Sequence, residues 1–235
     1  MTSNPNLTRQ YIENHTVEYY RTAGGTRPDL RVVDTMDGKI VVKDFKKSDF
    51  LFRVIVGPIL IHREYGALRK LTGVDGIPQL VTKIDRYALA IQHVSGISLD
   101  QHVCKSITNE FYKELRRVID DMHSRGIAHC DLRSRGNVML GDDGRPYVID
   151  FAACVFLGKG LNPFIKWLFN QFVLADCNAV LRIKKRMSAD LLSDADKAEL
   201  AIPLPFERPA RAFGETVRKI TRKLLTCRNK PDTST

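Results

Sequence analysis

Two short hydrophobic runs near the middle of the chain, each bordered by a polar residue, constrain its fold more than any other feature. The runs Val-Met-Leu (138–140) and Tyr-Val-Ile (147–149) flank a Gly-Asp-Asp-Gly turn and predict an antiparallel hairpin. Asn137 precedes the first strand and Asp150 follows the second, so both lie at the open end of the hairpin. Asp131 is on the loop that enters the same end. Three oxygen-bearing side chains are therefore expected to converge, and such hard ligands suit Mg²⁺ carried on nucleotide phosphates.

A lysine and a glutamate in the first third of the chain are also predicted to face inward. The turn signal Asp37-Gly38 leads into a β-branched run, 39–45, in which Lys43 shares a strand face with apolar residues. The apolar stripe of a helix predicted over 58–71 includes the position of Glu64. A buried ammonium group needs a counter-charge, so we expect Lys43 and Glu64 to pair. The alternative is a purely structural salt bridge, which would be a costly way to gain stability.

Composition indicates a globular protein with anionic partners. The chain has 235 residues and a formal net charge of +10, and residues 207–235 carry eight basic and three acidic side chains. Five scattered cysteines without a Cys-x-x-Cys pair favour a reducing compartment over disulfides or zinc. The most apolar stretch, 164–181, is interrupted by charged and amide residues, so we expect no transmembrane segment. The polar start of the chain lacks a signal core, and we expect a cytoplasmic protein.

Several motifs resemble those of the protein-kinase-like superfamily. His129-Cys130-Asp131-Leu132 with Asn137 is similar to its catalytic loop, and Asp150-Phe151 is similar to its metal-binding Asp-Phe-Gly motif. Lys43 in Val-Val-Lys resembles its strand lysine, and Glu64 resembles its helix glutamate. The order Lys, Glu, Asp, Asn, Asp along the chain is the same, and the resemblance covers about 17–155.

The resemblance implies an α+β, compact bilobal protein-kinase-like fold. It would have an antiparallel-sheet N-lobe over 1–94, a mainly helical, truncated C-lobe over 95–205, and a basic C-terminal segment over 206–235. It also implies that Asp131 orients or deprotonates an acceptor hydroxyl and that Asn137 and Asp150 hold Mg²⁺. Lys43, held by Glu64, would contact the α- and β-phosphates of ATP.

The resemblance suggests further roles. Arg133 would either contact the γ-phosphate or close the loop as an ion-pair partner, and His129 would brace the loop. The backbone near Gln92 and Val94 would meet the adenine.

The sequence departs from ordinary protein kinases at four points. Asn137 comes six positions after Asp131 where five are usual, and Ala152 replaces the motif glycine. No G-x-G-x-x-G loop precedes Lys43, and Gly24-Gly25 is expected to be a plain turn, the alternative being that its backbone N–H groups approach phosphate. No Ala-Pro-Glu motif follows, and only 85 residues remain after Asp150. This truncation resembles RIO-like kinases and bacterial Kdo/lipopolysaccharide-core kinases.

The region after the catalytic motifs is expected to be helical and basic over 174–200, where it would approach an anionic acceptor. Its aromatic neighbours are expected to pack in the core; they are Phe164, Trp167, Phe169 and Phe172.

The sequence therefore predicts an ATP- and Mg²⁺-dependent kinase that acts on the hydroxyl of a lipopolysaccharide-type sugar or of a protein Ser/Thr. A pseudokinase or nucleotide-dependent binding module is one alternative, and a small-molecule phosphotransferase is another. The net charge favours an anionic glycolipid or protein as acceptor, with peripheral contact at the inner face of a membrane. Nucleic acid is not indicated as a partner.

Overall fold

The computed structural model describes residues 7–101, 107–158 and 162–202. The basic segment predicted over 206–235 lies outside the described residues. The first part of the chain forms a short helix and a five-stranded antiparallel sheet. The strands of this sheet lie in the order β1-β2-β3-β5-β4. The elements are α1 (Arg9–Asn14), β1 (Thr16–Arg21), β2 (Asp29–Thr35), β3 (Gly38–Asp44), β4 (Leu80–Lys83) and β5 (Ala88–Gln92).

The predicted hairpin at Asp37-Gly38 joins β2 to β3. Thr35 pairs with Gly38 across a two-residue turn, and Gly38 adopts a φ of 109°, which only glycine reaches easily. The alternating strand pattern then divides β3 between two cores. Ile40 and Val42 pack under α1, whereas Phe45 packs with hydrophobic residues on the opposite side of the sheet.

The helix predicted over 58–71 is confirmed as α2 (Gly57–Lys70), and one π-helical turn, Phe52–Val56, precedes it. Its buried positions include Ile61, Glu64 and Leu68, so the glutamate does lie on the apolar face as expected. Helix α2 packs against the sheet and against a 3₁₀ turn, Phe151–Ala153, that follows Asp150. It thus connects the sheet to the second half of the molecule.

The second half is built around an amphipathic helix with one buried face and around short strands. Helix α3 (Asn109–Ser124) begins after Thr108, whose side chain accepts a hydrogen bond from the Phe111 backbone N–H. Its apolar face is buried and consists of Phe111, Tyr112, Leu115, Val118, Ile119 and Met122. Two small antiparallel sheets surround the helix, in the orders β6-β8-β9 and β10-β7. Their strands are β6 (Gly96–Ser98), β7 (Ile127–Ala128), β8 (Val138–Gly141), β9 (Pro146–Val148) and β10 (Val155–Phe156).

The region predicted to be helical over 174–200 includes the second half of α4 (Pro163–Met187) and nearly all of α5 (Asp194–Ala201). Phe169 is buried as expected, but Phe164 and Trp167 are 64% and 45% exposed, so their predicted core position is wrong. The reason is that the first turns of α4 extend beyond the core cluster, which α4 joins only from its middle onward. Within the described residues, no helix combines the length and apolarity that crossing a membrane requires.

Candidate active site

Lys43 joins the sheet, helix α2 and the end of the central hairpin. Its ammonium group lies 2.7 Å from Glu64 Oε2 and 2.7 Å from Asp150 Oδ1. The Lys43 and Glu64 side chains are 7% and 2% exposed, whereas that of Asp150 is 43% exposed. The predicted pairing of Lys43 with Glu64 is confirmed. Asp150, the second carboxylate, lies between this buried pair and solvent.

Lys43 and Asp150 stabilise each other's charged form, whereas burial raises the pKa of Glu64. Burial alone would lower the pKa of Lys43, but the carboxylates of Glu64 and Asp150 raise it above its ordinary value. The positive charge of Lys43 in turn lowers the pKa of Asp150. Lys43 is therefore an ammonium ion and Asp150 a carboxylate at neutral pH. One carboxylate oxygen of Asp150 accepts from Lys43, which leaves the other for a cation.

The central hairpin forms as predicted and places its polar residues at one end. Val138 pairs with Val148, and the Ile149 backbone N–H donates to the Asn137 carbonyl at 3.0 Å. Asn137 and Asp150 therefore flank the same end of the hairpin. The Asn137 amide nitrogen donates to both the carbonyl and the carboxylate of Asp131, at 2.9 and 3.0 Å. Because the nitrogen is engaged, the amide oxygen of Asn137 is the atom left for a metal ion.

The backbone of this site is unusual in two places. Cys130 and Asp150, with φ of 67° and 65°, have the only positive φ values among non-glycine residues in the described parts of the chain. Such conformations cost roughly 1–3 kcal/mol each and are found where function fixes the backbone. One lies immediately before Asp131 and the other at the hairpin end. The strain therefore coincides with the candidate catalytic residues.

His129 braces the loop, as expected. Its buried ring accepts at Nδ1 from the Asp131 backbone N–H at 3.3 Å and contacts the Ile149 carbonyl through Nε2 at 3.0 Å. These two partners assign the neutral tautomer with the proton on Nε2. The ring also packs against Phe151, with 4.9 Å between ring centroids. His129 thus ties the loop of Asp131 to the hairpin end and has no free nitrogen for proton transfer.

Asp176 on α4 is a positioning residue that the sequence reasoning missed. It is 1% exposed and accepts from the backbone N–H groups of His129 and Cys130, at 2.6 and 2.9 Å. Its carboxylate also lies 3.1 Å from His123 Nε2. The available signal was a carboxylate in the most apolar stretch of the chain.

The remaining predicted residues lie around this centre. Gln92 ends β5 and its backbone N–H already donates to the Gln79 carbonyl at 2.8 Å. Val94 follows in the connection to β6, and its backbone N–H has no hydrogen-bond partner in the described part of the chain. Arg133 is exposed on the loop after Asp131. Their proposed contacts with substrate stay predictions.

The connection between β1 and β2 is a tight turn, as expected for Gly24-Gly25. The Gly24 and Arg27 backbones exchange hydrogen bonds at 3.4 and 3.0 Å, and the Asp49 N–H donates to the Gly25 carbonyl at 2.9 Å. The turn is thus fixed to the segment before α2. The backbone N–H groups of Gly24 and Arg27 are engaged within it.

The chain has an atypical protein-kinase-like fold. Two solved structures of Rio2 kinase from Chaetomium thermophilum are similar to this chain, one of them a complex with ADP/Mg²⁺ and phosphoaspartate. The complex has a TM-score of 0.56 and 14% identity, covering 90% of this chain and 70% of the other. The second has a TM-score of 0.57 and 14% identity, covering 88% and 74%.

At this identity the likeness establishes the fold and nothing finer. No protein-family model matches the sequence, and no curated protein matches it either. The resemblance to lipopolysaccharide-core kinases remains a prediction.

Proposed function

We propose that this protein is an ATP-dependent kinase that transfers the γ-phosphoryl group to a hydroxyl acceptor. The observation that carries the proposal is the bridge from Lys43 to both Glu64 and Asp150, beside the bonded pair of Asn137 and Asp131. This arrangement presents an ammonium group and free carboxylate and amide oxygens at one place. Those groups match the needs of a metal-bound triphosphate.

The available donor atoms fit Mg²⁺. The free oxygen of Asp150 and the amide oxygen of Asn137 are hard ligands, which Mg²⁺ prefers. When bound, the ion neutralises charge that develops on the phosphates. Lys43 contacts the α- and β-phosphates and Glu64 holds it in place. The Rio2 kinase complex with ADP/Mg²⁺ supports the choice of cofactor.

Asp131 is the proposed catalytic residue toward the acceptor. Its carboxylate is exposed and oriented by Asn137, so it can accept the proton of an incoming hydroxyl. Arg133, also exposed on this loop, contacts the γ-phosphate. The backbone N–H of Val94, with the Gln92 backbone beside it, meets the adenine.

The proposed acceptor is an anionic hydroxyl compound, because the chain has a formal net charge of +10. A lipopolysaccharide-type glycolipid fits this charge best, and a protein Ser/Thr hydroxyl is the second candidate. The same charge disfavours a polycationic small molecule. The alternative hypothesis is a nucleotide-dependent binding module without turnover. The lack of a full glycine-rich loop between β1 and β2 favours that alternative.

Incubation with γ-labelled ATP, Mg²⁺ and lipid, lipopolysaccharide or protein fractions tests the proposal. Asp131→Asn should lower label transfer by about 10²–10⁴-fold, the usual contribution of a general base. The matched control is Asp121→Asn, which replaces an exposed aspartate on α3. Equal transfer by wild type and Asp131→Asn would contradict a catalytic role, and ATP binding without transfer to any fraction would favour the binding module.

The exposed start of α4 supports the proposed peripheral contact with an anionic membrane surface at the cytoplasmic face. Phe164, Ile165 and Trp167 are exposed around Lys166, and aromatic side chains with a cation suit the lipid headgroup region. Trp167 is the single tryptophan of the chain, so its fluorescence reports directly on this surface.

Anionic vesicles should shift the emission of Trp167 to shorter wavelength, and neutral vesicles should not. Phe164→Ser should weaken the shift, while Ile202→Ser, at another exposed apolar position, should not. An unchanged spectrum with anionic vesicles would contradict the contact.

A further inference from the structure

Arg21 lies in the same row of the sheet as Lys43. A register irregularity between Tyr19 and Arg21 places Arg21 opposite Leu30 across β1 and β2, and Leu30 pairs with Lys43 across β2 and β3. Residues directly opposite each other in antiparallel strands project to the same face. The side chains of Arg21 and Lys43 therefore share the face that meets Glu64 and Asp150. Two strand spacings of about 4.8 Å each separate their backbones, a distance that two long side chains can span together.

One hydrogen bond anchors the Arg21 side chain. Its Nε donates to the Pro28 carbonyl at 3.2 Å, which holds the half-buried side chain against the start of β2. Its two terminal nitrogens have no hydrogen-bond partner within residues 7–101, 107–158 and 162–202. Burial lowers the pKa of Arg21, and the negative charge of Asp150 opposes that shift, so the two groups are within electrostatic reach.

The site needs a further cation. Lys43 shares its single positive charge between two acidic side chains, Glu64 and Asp150, at 2.7 Å each, so the triad itself has no unshared cation to offer the phosphates. A glycine-rich loop would offset the phosphates with backbone N–H groups. In this chain, two N–H groups of the corresponding turn, those of Gly24 and Arg27, already donate within the turn.

We propose that Arg21 binds the phosphates of the nucleotide through its two terminal nitrogens and takes the part that a glycine-rich loop plays elsewhere. A guanidinium group offers two parallel donors, which suit a phosphate better than the point charge of lysine. The inference rests on the proposed function, because it assigns a phosphate ligand within the same nucleotide site.

Titration calorimetry with Mg·ATP, Mg·ADP and adenosine separates phosphate binding from adenine binding. Arg21→Gln should raise the Kd of Mg·ATP roughly 10-fold or more, since it removes a charge-assisted interaction, and should leave the Kd of adenosine unchanged. Arg21→Lys should recover only part of the affinity because it lacks the planar pair of donors. The control is Arg86→Gln, an exposed arginine stacked on Tyr87 in the turn between β4 and β5.

Four results would overturn the inference. An unchanged Kd for Mg·ATP in Arg21→Gln would exclude the phosphate contact. Equal weakening of Mg·ATP and adenosine would show that Arg21 only supports the local structure, and thermal unfolding of the variant would check this independently. Wild-type protein that binds Mg·ATP no more tightly than adenosine would contradict the phosphate contact, although a nucleoside site would remain. Wild type without affinity for any of the three would contradict the proposed function as well.

Discussion

Lys43 Nζ and Asp150 Oδ1 lie 2.7 Å apart although 107 residues separate them in the chain. This ion pair connects the central strand of the five-stranded sheet to the end of the hairpin that carries Asn137. Glu64 accepts from the same ammonium group, so one cation organises three elements. A nucleotide that binds at this point would meet an ammonium group that the fold already holds in a fixed orientation.

Replacing Lys43 should destabilise the protein. Lys43→Met leaves Glu64 buried without its counter-charge, and breaking a buried ion pair in this way costs about 3–5 kcal/mol of unfolding free energy. Urea denaturation measures the loss, with Lys39→Met at an exposed position of the same strand as control. The double variant Lys43→Met/Glu64→Leu should recover much of the stability, because the unpaired carboxylate is gone. A Lys43→Met variant as stable as Lys39→Met would contradict this.

Asp176→Ala should impair the site from a distance. The change leaves the backbone N–H groups of the buried His129 and the partly buried Cys130 without an acceptor, at about 1–3 kcal/mol for a buried group. We expect lower stability together with reduced label transfer, because the loop before Asp131 loses its support. Asp121→Ala on the surface of α3 is the control for removing a carboxylate. Full activity of Asp176→Ala would show that the loop holds its shape without this residue.

Two thiols beside the site, the buried Cys154 and the partly buried Cys130, should be chemically inert in the folded protein. Burial raises the pKa of Cys154 to about 12 and also raises the pKa of Cys130. Both are therefore protonated at pH 8, and the thiol form is a poor nucleophile. Alkylation with iodoacetamide followed by peptide mass mapping should show both unmodified in native protein and modified in denaturant. Native modification of Cys154 would contradict its burial.

Acid should weaken the contribution of Asp150 to stability. Lys43 lowers the pKa of Asp150 below its ordinary value of 3.8. The ionised carboxylate is therefore more stable in the folded state than in the unfolded chain. This contribution is complete above the unfolded pKa and disappears as the pH falls through the folded pKa. Wild type should therefore exceed Asp150→Asn in unfolding free energy at pH 7, and the difference should shrink below about pH 4. A difference that is constant or grows in acid would contradict the coupling.

Local sequence patterns were sufficient for the centre of the site. Lys43, Glu64 and the hairpin residues follow from strand and helix periodicity and from turn residues, which act within a few positions. Asp176 could not be assigned because its partners lie 46 and 47 residues away, and only packing of α4 against the loop brings them together. The prediction that Phe164 and Trp167 of α4 pack in the core was wrong for a related reason. The sequence of α4 shows a hydrophobic surface but does not show where the helix leaves the core.

Calorimetric titration of ATP with and without Mg²⁺, in wild type and in Asp150→Ala, is the most direct test of the site. Asp150 and Asn137 should together hold the ion against the phosphates, so Mg²⁺ should tighten ATP binding to wild type. In Asp150→Ala this Mg²⁺ dependence should be lost, while Asp121→Ala should keep it. An equal effect of Mg²⁺ on wild type and Asp150→Ala, or a wild-type protein that does not bind ATP, would contradict the assignment of the hairpin end as a site for metal-bound triphosphate.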